Sequence, residues 1–539
     1  MSSALRHRRI GGLAAILLLA LTLRVLGLFW GLPGDAGHNR APYHPDEHEA
    51  YFEAENLYSA PTEMTFVKGG AFYIRTGWLA RRGVERFVGL EDSRGFAWTV
   101  VVLRVLSVVA GIGCVALVYL IGLRVGGERV GLVAAALLAV SPGSVLDSHY
   151  ARPDVVMACL SAAALLLALR ARTGARTALG FGGACAGLAT ATILSGVAGF
   201  APLLAVVVQR FRASRGESAS PSAALRDVGA VSVGAAAGYA FGNFEALLFP
   251  DAFIAGLGAA NDTHQGGGYA LPWKLVFTTA PYAFGSVTAL AGWLGFARLC
   301  RRREDVDVPL IAHFVFAWLL LGRVGGDMMR HLEIVAPLFA ILAAVALDSL
   351  GRRAAKLAGG RARVAAAVQI AAVVFAAQLS VSYVWPMQFD EDPRRELGAF
   401  MAEAVPRGST IGVTASFHGD QTYSPRPPDS FDTAGYEIGG LMLRSDFDAN
   451  DYLSMRLDFI ATSEYARQHA AGPSAEAFVK ALFAGERYGM IASAGPPFEP
   501  PIRVASALGL RLPSDLHYVR STFYLFERLG GRPETPVSR

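Results

Sequence analysis

Charge is what this sequence has least of. Only 17% of its 539 residues are charged, against about 25% in an ordinary soluble protein. A chain so poor in ions implies lipid as the solvent for much of its surface. Cysteine is scarce as well. Cys114, Cys159, Cys185 and Cys300 all fall in or beside apolar runs, at spacings that suit neither a zinc-thiolate site nor a disulfide framework. Lysine is nearly missing: Lys68, Lys274, Lys356 and Lys480 stand among 49 basic residues. The net charge of +5 does not signal nucleic acid, because the arginines separate apolar runs and form no interleaved patch.

What is abundant is hydrophobic length, with 53% of the residues apolar. Residues 1–385 are long apolar runs joined by short arginine-bearing connections, a membrane body. From 386 to 539 charge, proline and aromatics mix as in a globular domain. Arg6, His7, Arg8 and Arg9 precede the first run as in a signal peptide. That run continues to about Leu32 without a small-residue cleavage site, so it reads as a retained first span.

A bilayer core of about 30 Å needs roughly 20 helical residues. Candidate spans are 10–32, 104–123, 130–148, 153–170, 177–193, 194–209, 227–249, 275–297, 307–323, 331–350 and 363–385. The uncharged stretch 177–208 is divided near Ser195-Gly196. With that division and the N-terminus inside, every cytoplasmic loop is basic: Arg124/Arg129, Arg170/Arg172/Arg176, Arg210/Arg212/Arg215/Arg226, Arg301/Arg302/Arg303 and Arg352/Arg353/Lys356/Arg361/Arg363. One helix over 177–208 would turn the later basic loops outward. The expectation is a polytopic α-helical membrane protein of about 11 spans, with a long first outer loop at 33–103 and an extracytoplasmic C-terminal α/β domain. In that domain, helices are predicted at Asp392–Val405 and Ala475–Ala484. Strands are predicted at Thr410–Ala415, Asp458–Thr462, Tyr488–Ser493 and Thr522–Glu527.

The first outer loop opens with His44-Pro45-Asp46-Glu47-His48-Glu49. Pro45 sets a helix start, and acidic residues suit the positive end of its dipole. The same cluster has the groups to hold a metal or accept a proton from a reacting hydroxyl, so both readings stand. The next outer connection, His149-Tyr150-Ala151-Arg152-Pro153-Asp154, places an arginine and an aspartate between two strongly apolar spans. Ions at that depth either pair with one another or do work. The loop with Asn261, Asp262, Thr263, His264 and three glycines at 266–268 is either a closing segment that brings His264 to a substrate or a plain flexible connection. Arg24, Arg104, Glu245, His313 and Glu333 lie in or near apolar runs, facing the bundle interior or snorkelling outward.

An Asp-Glu after the first span, Arg152-Pro153-Asp154 at the third-to-fourth span junction, Gly187-Leu188-Ala189 running to Pro202, and Arg330-His331-Leu332 through Pro337 together resemble a known family. It is that of the dolichyl-phosphate-mannose protein mannosyltransferases, whose bacterial relatives include aminoarabinose transferases acting on lipid A. Lys68-Gly69-Gly70-Ala71 stands where the family often has Lys-Pro-Pro-Leu, and Ile193 where relatives often have a lysine. The resemblance implies a GT-C fold in the plasma (inner) membrane. It also implies transfer of a sugar, with inversion, from a polyprenyl-phosphate carrier to a hydroxyl of a protein, lipid or glycan acceptor. It further implies Asp46 as general base, with Glu47 and Asp154 orienting it. A divalent cation on Asp46 and Asp154 is left open. Lys68, Arg152 and Arg330 would meet the phosphate. A lipid-linked-sugar flippase and an inactive GT-C-like scaffold are the rival readings. A transporter predicts internal repeats, and none is evident.

Overall fold

The computed structural model describes residues 3–32, 44–58, 70–88, 92–214, 221–256, 275–322, 328–415, 436–442, 457–469, 473–495, 513–516, 519 and 521–530. Its first half contains helices α1 (Ser3–Val25), α2 (Pro45–Asn56), α3 (Ala71–Val88), α4 (Asp92–Gly126), α5 (Glu128–Ala139), α6 (Pro142–Asp147), α7 (Asp154–Arg172), α8 (Thr177–Thr192), α9 (Phe200–Ser214) and α10 (Pro221–Gly242). Next come α11 (Glu245–Leu248), α12 (Ala280–Phe284), α13 (Ser286–Arg302), α14 (Asp307–Leu321), α15 (Ala336–Leu357) and α16 (Ala362–Phe389). The chain divides into two compact units. One is Met1–Leu28, Ala50–Val88 and Trp98–Val384; the other is Phe29–Glu49, Gly89–Ala97 and Trp385–Arg539.

Among the described residues four helical stretches are long and apolar enough to cross a membrane, Gly95–Gly126, Asp154–Arg172, Leu194–Ala213 and Ala362–Ala404. A fifth is obtained if Leu275–Phe284 and Ser286–Arg302, bent by 118° at Gly285, are one span. The eleven-span expectation is therefore coarser in the structure: a polytopic helical body. Several predicted spans are interrupted. The stretch 130–148 breaks into α5 and α6 at Val140-Ser141, because Pro142 lacks an amide hydrogen and fits only a first helical turn. The helix expected from 331 starts at Ala336, after a 3₁₀ turn at Met329–Leu332. The uncharged run 177–208 is two helices. α8 stops at Thr192, Ile193 is extended (φ −158°, ψ 143°), and a 3₁₀ turn at Leu194–Gly199 leads into α9.

α8 and α10 touch backbone to backbone. A Cβ on Gly183 would lie 2.3 Å from the Val231 oxygen and one on Gly187 2.2 Å from the Ala235 oxygen. From the other side, a Cβ on Gly234 would lie 2.0 Å from the Gly180 oxygen and one on Gly238 2.1 Å from the Ala184 oxygen. Small residues four apart create such crossings in lipid, where dispersion and not water exclusion holds helices together. Elsewhere in this unit, aromatic rings fill the space between α13, α14 and α15. Trp293 meets Phe314 and Phe339 edge-on, each at 5.5 Å between centroids.

The C-terminal residues fold as α17 (Pro393–Ala404), β1 (Thr410–Ala415), β2 (Glu437–Met442), β3 (Phe459–Ser463), α18 (Glu464–His469), α19 (Pro473–Ala484), β4 (Tyr488–Ala494) and β5 (Phe523–Arg528). α17 starts where Asp392 accepts a hydrogen bond from the Arg394 amide and Pro393 occupies the first turn. The five strands form one sheet in the order β2-β1-β3-β5-β4. β1 runs parallel to β2 and β3, and β5 antiparallel to β3 and β4. Period-two alternation sends Phe459, Ala461, Phe523 and Leu525 to the face that α17 covers through Leu397 and Met401. Ile460 and Phe526 face the other side, where α19 packs Phe478, Val479 and Leu482.

One half-buried tyrosine makes this sheet sensitive to alkali. Burial, then the nearby Glu464 carboxylate that accepts its hydrogen bond at 2.9 Å, push Tyr524 up to about 12 from 10.0. The raised value means the folded form retains the proton longer than the unfolded chain does. Its stabilisation is fully present below pH 10 and is lost as pH rises towards 12. Thermal melts of the full chain across pH 9–12 are expected to show this loss, and Tyr524→Phe to flatten it.

Candidate functional site

The turn between α6 and α7, Ser148 to Pro153, is buried at every residue. Its course is set by local hydrogen bonds, from the His149 amide to Leu146 O (3.0 Å), the Tyr150 amide to Asp147 O (3.3 Å) and the Arg152 amide to Tyr150 O (2.9 Å). The Ser107 hydroxyl on α4 lies 3.1 Å from the carbonyl oxygens of both Tyr150 and Arg152. Two ring nitrogens of His149 face carbonyls at Val145 (2.8 Å) and Leu26 (2.5 Å). Within this frame the Arg152 guanidinium donates through Nε (3.1 Å) and Nη2 (2.9 Å) to Oδ2 of Asp154. Both side chains are buried, and Asp154 opens α7, where the helix dipole favours a negative group. The pairing anticipated from the sequence is present.

A second set of buried ions underlies this turn. Arg24 is fully buried and does not snorkel. Its Nη1 and Nη2 donate to the carbonyls of Ala139 (3.0 Å) and Leu138 (3.3 Å) at the end of α5, and its Nε to Ser148 Oγ (3.1 Å). Nη2 also reaches Ser144 Oγ (3.3 Å), and Nη1 the carbonyl of Ala20 (3.3 Å). A helix end leaves its last carbonyls unpaired, and a buried cation satisfies two of them. Glu333, also buried, is close enough to Arg24 and Asp154 to feel both charges. Arg330 stands half-buried in the preceding 3₁₀ turn, where its carbonyl accepts from the Glu333 amide at 3.0 Å.

Asp46 and Glu47 belong to the other compact unit, at the start of α2. The Asp46 amide donates to His44 Nδ1 at 3.3 Å and the Glu47 amide to the His44 carbonyl at 3.2 Å, so the capping work falls to His44. Asp46 is half-buried and Glu47 fully buried. Lys68 and His264 lie outside the described residues. Among the described residues no three His, Cys, Asp or Glu side chains group as metal ligands, and Asp154 is engaged by Arg152.

The sequence reading named Glu245 without giving it a partner, and it did not find Arg75 or Tyr58. Glu245 is completely buried at the first turn of α11. Arg75 Nη1, on α3, donates to both of its oxygens at 3.1 Å, and the Tyr58 hydroxyl to Oε1 at 3.0 Å. Burial, then this carboxylate, hold the Tyr58 phenol above its ordinary value. The available signal was a lone acid at the end of an apolar run, since such a group requires a cation when buried.

The fold is shared with oligosaccharyltransferases of known structure. The archaeal oligosaccharyltransferase AglB from Archaeoglobus fulgidus, in complex with an inhibitory peptide and a dolichol-phosphate, superposes with a TM-score of 0.52 at 14% identity, over 98% of this chain and 89% of that one. The apo form of the Archaeoglobus fulgidus oligosaccharyltransferase gives 0.52 at 16% identity, over 96% and 78%. ArnT from Cupriavidus metallidurans bound to undecaprenyl phosphate gives 0.49 at 14% identity, over 96% and 98%. More particularly, residues 96–224, which contain the Arg152–Asp154 turn, match the family model of the dolichyl-phosphate-mannose-protein mannosyltransferases. Comparison with curated proteins by sequence found no match.

Proposed function

We propose that the chain moves a sugar from a polyprenyl-phosphate carrier to a hydroxyl of a protein, lipid or glycan acceptor, at the non-cytoplasmic face of the plasma (inner) membrane. The N-terminus is then cytoplasmic, residues 1–385 form the catalytic body, and residues 386–539 form an extracytoplasmic domain. The observation that carries this reading is a guanidinium and a carboxylate buried together at the start of a spanning helix in a GT-C fold. The match of 96–224 to a lipid-phosphate-sugar family supports it.

In this reaction the acceptor oxygen bonds to the anomeric carbon as the carbon–phosphate oxygen bond breaks, and the configuration inverts. Asp46 takes the hydroxyl proton as general base, while Glu47 and Asp154 orient it. The bonding pair leaves on the carrier phosphate, whose charge Lys68, Arg152 and Arg330 stabilise. His264 contacts the substrate. Asp154 serves this role by holding the Arg152 fork in one orientation, which suits planar recognition of phosphate.

The test is transfer from a labelled polyprenyl-phosphate sugar by the purified full-length chain and by Asp46→Asn. Removing a general base lowers turnover by about 10²–10⁴-fold. Transfer by the native chain and at least a hundredfold less by the variant is expected. Equal rates in the two would remove Asp46 from the chemistry. Translocation of the lipid across proteoliposomes without transfer would replace the enzyme with a flippase.

A further inference from the structure

We propose that Arg75 and Glu245, with Tyr58, are positioning residues that fix the helix carrying Asp46 for the transfer reaction. This rests on the reading of Asp46 given above. Asp46 is the second residue of α2, so whatever holds the later turns of that helix aims the carboxylate. Those later turns are held by α3. Arg81 of α3 stacks over the Tyr51 ring at 5.2 Å, donates to its hydroxyl at 3.1 Å, and is ion-paired with Glu55. Glu85 keeps Arg81 in place through a 2.7 Å bond to Nε. Just beyond α2, Tyr58 sets its ring edge-on against Trp78 at 4.9 Å.

α3 is in turn anchored to distant parts of the chain. At its start, Gly70 (φ +66°) lies so close to the end of α8 that a Cβ would sit 1.9 Å from the Thr192 oxygen. One turn on, Arg75 grips Glu245 through both carboxylate oxygens, donates to Phe241 O at 2.5 Å, and lies 5.4 Å over the Phe241 ring. The two charges are 170 residues apart in sequence. Tyr58 adds its hydroxyl to the same carboxylate, so the exit of α2 and the first turns of α3 are fastened at one point. The acid's two oxygens are taken by Arg75 and Tyr58, and the arginine's Nη1 and Nη2 by Glu245 and the Phe241 carbonyl. They therefore act through α2 and not on substrate. Desolvation offsets much of the attraction within such a pair, and fixing one geometry is its best-attested use.

The experiment compares the full-length native chain with Glu245→Gln, Arg75→Gln, Tyr58→Phe and the charge swap Arg75→Glu/Glu245→Arg. It measures kcat and donor KM for transfer, together with hydrogen exchange of amides 50–58. The single charge variants are expected to lose at least tenfold in kcat with KM within threefold, and to exchange faster at 50–58. The swap is expected to recover a third or more of the native rate, and Tyr58→Phe to show a smaller loss of the same kind. A kcat within twofold of native in the single variants, or a rise in KM alone, would overturn the proposal. If the native chain transfers no sugar, the function reading fails first. Unchanged exchange at 50–58 then overturns the clasp on its own, including through Tyr58→Phe should the charge variants not fold.

Discussion

Asp154→Ala is expected to cost about 3–5 kcal/mol of stability, because it removes the carboxylate that accepts from Nε and Nη2 of the buried Arg152 guanidinium. Thermal unfolding in detergent should show a large drop, with transfer abolished. Stability and chemistry separate in the double variant Arg152→Met/Asp154→Leu, which removes both charges and keeps the volume. Buried pairs replaced in this way are often neutral for folding. The double variant is therefore expected to melt near the native chain and still transfer no sugar. Sugar transfer by a well-folded double variant would show that the pair only builds the turn.

Arg24 gives the second large effect. Arg24→Ala removes all five hydrogen bonds of this side chain and takes its donor from the Ala139 carbonyl, while Leu138 O keeps the Ser141 amide at 3.2 Å. An orphaned buried polar group costs about 1–3 kcal/mol, and a loss of at least that size is expected. Glu333 also loses the favourable charge of Arg24. Arg24→Lys keeps the charge but not the fork, and should fall between the two. An unchanged melting temperature in Arg24→Ala would contradict the burial of this arginine.

Local signals were readable in the sequence and long-range partners were not. The strand expected at Thr410–Ala415 is β1 residue for residue, and the proline at 45 does start α2. The Arg152–Asp154 pair was accessible because its members lie two residues apart at an apolar junction. β2 was missed because Gly439-Gly440 gives it neither branched side chains nor alternation. The snorkelling alternative for Arg24 failed because its acceptors are carbonyls exposed by a helix break, which hydropathy does not register. Arg75 and Glu245 share no periodic pattern, and only the folded chain brings them together.

Backbone contact between α8 and α10 also limits how this molecule can move. Helices separated by larger side chains can slide as rotamers change, whereas two main chains in van der Waals contact cannot. α8 and α10 therefore behave together as a stiff plank. Any bending of the helical body is taken up elsewhere, at joints such as the elbow between α12 and α13.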